Sequence, residues 1–273
     1  MIKKNGLVTC KCDIREDGTE ILNSSQRNNQ IIWPSKEKYP NSQYVASWKN
    51  TCNVTSMIMA LEYAGWIFPN GQYKQPEDNL ANFILENEEI DNTYMKGQPA
   101  MYKTYHRALN GQCGKQELLS VYSPIELHDY LSKGTNLWLD STATQFNTNC
   151  NFIKALWRYF VFDNLPMVIS TNFGGFGHIV TCVGAIWKES DYEKGVDQFK
   201  KDKSKYPEII PESIIVDDPW GQIDLKKNIY PSGGGGSGNN KVIPWEFVIT
   251  HVKPLNSTSC KWVHVFKHGL PTI

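Results

Sequence analysis

The stretch KNTCNVTSMIMALEYAG, Lys49 to Gly65, puts a cysteine just ahead of an apolar run with helical spacing. Met57, Ala60, Leu61 and Ala64 fall on one stripe at a period of 3.6 residues, and Gly65 can stop the turn, so the spacing predicts a helix over 51–64. Cys52 then stands at the N-terminal end, where the helix dipole favours negative charge. A cysteine there either packs, as small buried thiols commonly do, or reacts. What decides between the two is whether the rest of the chain holds the groups a reacting cysteine needs.

A nucleophilic thiol needs a base. FGGFGHIVTCVGA, Phe173–Ala185, supplies His178 as the first residue of a predicted strand, behind Gly174, Gly175 and Gly177. A histidine within a core strand is usually a satisfied polar residue. One that opens a strand after a glycine-rich turn is better placed to be exposed to a cleft, and the glycines leave room for a substrate chain. The base in turn needs a group that fixes its tautomer. IIVDDPWG, Ile214–Gly221, ends a strand in Asp217 and Asp218, with Pro219 closing the ladder. Asp-Asp-Pro is also an ordinary turn start. Each piece is weak alone; the order Cys, His, Asp in these three settings is far more specific.

These blocks resemble the papain-like, bacteriocin-leader-processing cysteine peptidases and their relatives in phage and bacterial cell-wall proteins. TCNVTSMIMALEYAG is similar to their nucleophile helix, GFGHIVTCVGA to their histidine strand, and IIVDDPWG to the strand that ends in Asp-Pro. Ser25-Gln26-Arg27-Asn28-Asn29 is similar to a segment that precedes the cysteine in those relatives. The resemblance spans roughly residues 20 to 250 and is carried by these four short blocks. It implies Cys52 as nucleophile, His178 as base and Asp218 as orienting acid; Asp218 is the match because it directly precedes the proline. It also implies an oxyanion hole built from the Cys52 backbone N–H and a glutamine side chain. By motif that glutamine is Gln26, with Gln43 in reserve because a long insertion separates Gln26 from the cysteine. Asn53-Val54 replaces the family's usual Gly-Pro. Gly175, with Trp220, is expected to contact substrate, and Asn172 flanks the same cleft.

The fold class expected is α+β: a papain-like cysteine peptidase fold whose N-terminal helical part packs its nucleophile helix on a C-terminal antiparallel sheet. Residues 1–273 form a single catalytic domain with insertions at 27–48, 66–149 and 188–210 and a Gly/Ser-rich loop at 232–240. Strand-like pieces are expected at 6–12 and 31–33, and helices at 75–86, from 123 to about 134, and at 150–162. Strands follow at 167–171, 178–187 and 213–217. The charged segment KESDYEKGVDQFKKDKSKYPE is expected as a solvated loop or surface helix, and VIPWEFVITHV as more sheet. The tract at 66–149 is expected to wall the substrate groove.

Composition narrows the function classes. The chain has 273 residues, 40% hydrophobic, 21% charged and with no net charge, so it can bury a proper core and nothing points to nucleic acid as a partner. No apolar stretch is long enough to span a bilayer, so no membrane insertion is expected. The N-terminus MIKKNGLVTCKCDI has no apolar segment of signal-peptide length, which predicts cytoplasmic synthesis without a signal peptide. Seven scattered cysteines suit reduced thiols. Neither Cys10-Lys11-Cys12 nor His264 with His268 completes a zinc site, so no metal is expected, and the chemistry needs no cofactor. His106, His128 and His251 have no partner motif and read as structural.

The expected activity is hydrolysis of peptide or amide bonds. A free-standing relative implies peptidoglycan stem peptide as substrate, as in a phage lysin or a wall endopeptidase or amidase acting on the envelope after release. Three other readings stay open. They are a soluble protease cutting polypeptides or leaders, a transglutaminase or acyltransferase with the same triad, and a non-catalytic binding module on a peptidase fold.

Overall fold

A computed structural model of the chain describes residues 1–14, 18, 20, 26–28, 52–63, 77–78, 149–232, 236–252 and 263–264. In chain order the elements are β1 (Ile2–Lys4), β2 (Leu7–Lys11), α1 (Cys52–Tyr63), α2 (Asn149–Leu156), β3 (Met167–Thr171), β4 (His178–Lys188), α3 (Glu189–Lys201), β5 (Ser213–Asp217), β6 (Lys241–Pro244), α4 (Trp245–His251) and β7 (Val263–His264). They make an α+β arrangement in which all seven strands join one antiparallel sheet.

β4 is the strand that holds this sheet together. β5 pairs with it from Thr181 to Ile186, which occupies one edge. A strand has two edges, so β3, paired at 178–182, and β2, paired at 184–188, share the other in succession. A strand covered on both edges and both faces needs few polar side chains, and all of β4 from His178 to Val183 is buried. α1 is fastened to the strand by a reciprocal pair of bonds. Ser56 Oγ donates to the Ile179 carbonyl at 2.9 Å, and Thr181 Oγ1 donates to the Ser56 carbonyl at 2.7 Å.

The main core gathers Val180, Cys182, Ala185 and Ile214 around two indoles, Trp157 and Trp187, whose ring centroids are 4.9 Å apart. Both indole N–H groups donate to one carbonyl, that of Ile209, at 2.8 and 3.3 Å. That double bond anchors the chain between α3 and β5. A buried indole N–H without a partner would cost the desolvation of that group.

Several expectations need correction. The strand expected at 6–12 forms as β2, but the N-terminal part is not a separate helical one: β1 and β2 form a hairpin, and β2 adds to β4 in the sheet. The period-2 signal in LVTCK is only five residues long, too short to show its partner in the sequence. In α1 the residues from Thr55 through Ala60 are all buried, so the helix is covered on more than one side and not along a single stripe. Segment 150–162 begins as α2 and continues into a π-helical turn, Trp157–Phe162, which ends at Asn164 with φ +51°. The charged insertion forms a surface helix, α3, one of the two forms expected of it, which needs no correction. VIPWEFVITHV is only briefly strand: Pro244 ends β6, and α4 follows, with Phe247 and His251 stacked at 3.8 Å one turn apart. The pieces expected at 31–33 and 123–134, and all of 75–86 except Glu77 and Asp78, lie outside the described residues.

Gly184 faces β2 where the β4–β5 register shifts, and a methyl group there would overlap the Cys10 carbonyl oxygen. Backbone cannot swing aside as a side chain can. Gly184→Ala is expected to destabilise the fold by about 1–3 kcal/mol. Urea unfolding should show a lower midpoint with an unchanged slope.

Candidate functional site

The register of the sheet brings the distant pieces together. Thr181 pairs with Asp217 at the end of β5, so the residue just past β5 lies beside the start of β4. His178 Nε2 is 2.8 Å from Asp218 Oδ1, and both side chains are 1% exposed. An ionised carboxylate only accepts hydrogen bonds, so Nε2 carries the proton in the neutral ring and Nδ1 is left bare. Burial alone pushes the imidazole pKa down. The charge and hydrogen bond of Asp218, followed by the nearby Cys52, outweigh it and raise the pKa above the ordinary histidine value.

Cys52 is the first residue of α1 and is partly exposed. It is the second group acting on this imidazole, and Nδ1 is the ring nitrogen left for it. The other described thiols stand in contrast. Burial pushes Cys10 up to about 11 and also raises Cys12 and Cys182, so these three stay protonated. Cys10 and Cys12 are not joined to each other.

Asp218 has a full set of partners. Oδ1 accepts from the Trp220 backbone N–H at 2.8 Å as well as from His178, and Oδ2 accepts from the Tyr230 hydroxyl at 2.6 Å. Its own N–H donates to the Gly238 carbonyl at 3.1 Å, and a side chain at 238 would strike Asp218 backbone. Within the tract expected as a Gly/Ser-rich loop at 232–240, Gly238 is therefore docked at this end.

Gln26 begins a short turn, Gln26–Asn28, and is buried. Its N–H donates to the Pro219 carbonyl at 3.0 Å, while Arg27 Nε donates to the Trp220 carbonyl at 2.8 Å and its guanidinium lies over the Trp220 ring at 5.0 Å. The Gln26 segment is thus fastened to the turn that carries Asp218. Gln43 lies outside the described residues. Trp220 joins the site through both backbone and ring. Gly175 is exposed, with φ +78°, on the loop before His178, and Asn172 accepts the Gly175 N–H at 3.0 Å.

Two contributors gave no sequence signal. Phe176 and Tyr230, together with Trp220, form an aromatic cage around His178, with ring centroids 6.0, 5.6 and 6.3 Å from the imidazole. Gly174 makes room for it. Its φ is +76°, and a Cβ there would meet the Phe176 and Tyr230 rings at 2.7 Å. The Gly174 N–H donates to Asn228 Oδ1 at 2.8 Å, which clips the loop bearing Tyr230 to the loop bearing His178.

Among the described residues no group of three or more His, Cys, Asp or Glu is placed to hold a metal ion, and no helix is long and apolar enough to cross a membrane. Chemically, a thiol beside an imidazole whose far nitrogen is bound to a fixed carboxylate can pass its proton to that ring. No family model, curated protein or solved structure matches this chain.

Asp217, one residue from Asp218, has a different environment. Asn240 N–H donates to its Oδ1 at 2.7 Å, Oδ2 has no hydrogen bond, and burial pushes its pKa from 3.8 up to about 7. A raised carboxyl pKa gives stability that is full below the unfolded value and lost as pH rises through the folded one. Asp217→Asn should therefore leave stability unchanged below pH about 4 and raise it at pH 8, by about 2–4 °C in Tm for each kcal/mol recovered. Thermal unfolding at the two pH values measures this, and an equal shift at both would refute it.

Proposed function

We propose that this chain is a cysteine peptidase of papain-like fold whose substrate is the stem peptide of peptidoglycan. The observation that carries the reading is that Cys52, from a helix N-terminus, and Asp218, from a strand end, act on the same buried imidazole, His178. In this reading the Cys52 thiol gives its proton to Nδ1 of His178. The sulfur attacks the amide carbonyl, and the negative oxygen that develops is met by the Cys52 N–H and the Gln26 side chain. The imidazolium, held by Asp218, then gives its proton to the leaving amine. Water, activated by the same ring, hydrolyses the thioester and frees the enzyme.

The placement of the other described thiols favours Cys52 as nucleophile, since Cys10, Cys12 and Cys182 are buried. The docking of Gln26 beside Asp218 favours Gln26 over Gln43. The choice of peptidoglycan rests on the sequence resemblance alone.

Purified peptidoglycan of several wall types should be digested with the wild-type protein and with Cys52→Ala, and the fragments identified by mass spectrometry. New amine and carboxyl ends are expected only with Cys52 present. Asp218→Asn should lower turnover by about four orders of magnitude, because the ring is then free to take the wrong tautomer. Gln26→Ala should lower it by about two to three orders. Intact walls in every digest, with Cys52 still alkylating faster than the other thiols, would remove the peptidoglycan substrate and leave a peptidase acting on polypeptides. Slow alkylation of Cys52 as well would remove the enzyme reading altogether.

A further inference from the structure

Two neighbouring acids of the Asp-Asp-Pro turn are treated very differently. Asp217 has one backbone donor, whereas Asp218 has three donors and no free oxygen. Besides His178, the donor that the turn itself cannot provide is the Tyr230 hydroxyl, which comes from a loop twelve residues downstream. Burial, then the Asp218 charge, raises the Tyr230 pKa, so the hydroxyl keeps its proton and remains a donor.

That loop is itself built to hold the tyrosine. Asp224 and Ile229 exchange backbone bonds at 2.9 and 3.4 Å, and Asp224 Oδ1 accepts the Lys226 and Lys227 N–H groups. Asn228, at φ +49°, accepts the Gly174 N–H through its side chain. The ring of Tyr230 then meets the His178 imidazole nearly edge-on, at 76°.

We infer that Tyr230 is a positioning residue for the proposed reaction: it pins Asp218 Oδ2 so that Oδ1 stays on His178 Nε2, and its ring keeps water from that bond. The inference rests on the triad reading of the preceding subsection and adds a residue to it. Without the hydroxyl, the carboxylate is held by a single backbone N–H besides the histidine and can rotate about its χ2. A rotating carboxylate no longer fixes which ring nitrogen carries the proton, so Nδ1 is not always bare when the Cys52 thiol approaches. Tyr230 touches neither substrate nor reacting atom in this role.

Tyr230→Phe removes the hydroxyl and keeps the ring, so the cage and the fold should persist, which thermal unfolding can verify. Two readouts apply to the full chain. The first is the rate of Cys52 alkylation by iodoacetamide, with alkylated sites identified by peptide mass spectrometry. The second is ¹⁵N NMR of histidine-labelled protein, which reports the tautomer and solvent exchange of the His178 ring. In the wild type, Cys52 should alkylate fastest of the thiols, and His178 should show a slowly exchanging Nε2–H. In Tyr230→Phe, alkylation should slow roughly tenfold, the scale of one lost hydrogen bond, and the Nε2–H should exchange faster. Lys226→Ala, which trims an exposed side chain of the same loop and leaves the hydroxyl, should change alkylation less than twofold. Fast alkylation that is equal in wild type and Tyr230→Phe, with unchanged His178 signals, overturns the inference and leaves the triad standing. Slow alkylation of Cys52 in the wild type overturns the triad itself.

Discussion

A carboxylate and an imidazole taken out of water together must satisfy each other, and the bond between His178 Nε2 and Asp218 Oδ1 is the constraint around which this end of the molecule is arranged. Separating the partners while both stay buried would cost about 3–5 kcal/mol. The surroundings are consequently rigid. The Pro219 carbonyl receives Gln26, the Asp218 N–H is taken by Gly238, and Asn228 ties two loops across the histidine. Four segments far apart in the chain thus converge on one ion-pairing geometry, each through a backbone contact.

The sheet register explains why one acid of the pair serves and its neighbour does not. Side chains alternate sides along a strand, so a shift of one residue at the end of β5 exchanges the two aspartates. Asp217 is turned toward Asn240, with the charges of Asp13, Lys11 and Glu20 near it, and its pKa rises with burial. Asp13 is also raised by burial, although Lys11 Nζ lies 2.9 Å from it and opposes that rise. The fold therefore carries carboxyls that burial pushes toward the neutral form on one side of β5 and a saturated pair at its tip.

The legible part of the sequence was the part with local chemistry. Cys52 begins a helix, His178 opens a strand behind glycines, and Asp218 precedes a strand-ending proline; each leaves a mark within a few residues. β3, β4 and β5 were legible because apolar runs bounded by glycine, proline or charge have few alternatives. Tyr230 left no mark. GQIDLKKNIY has no motif, and the role of its last residue arises only when an asparagine eleven positions past a strand bonds a glycine of another loop. α4 was misread because WEFVITH is rich in β-branched and aromatic residues, which favour strands until tertiary packing overrides them. The hairpin at the N-terminus was missed as part of the sheet because its partner lies far along the chain.

That last separation has a consequence for how the protein is made. The Cys12 thiol donates to the Val183 carbonyl across 171 positions, and β2 has no β4 to pair with until that stretch has been synthesised. At ordinary translation rates of about 5–20 residues per second, the hairpin waits roughly 10–30 seconds with the inward face of Val8 and Cys10 uncovered. His178 emerges with β4 and Asp218 later still, so a nascent chain carries its reactive thiol long before it carries the base and the acid. The site therefore cannot assemble before Asp218 has been made, and until then Cys52 has neither base nor acid beside it.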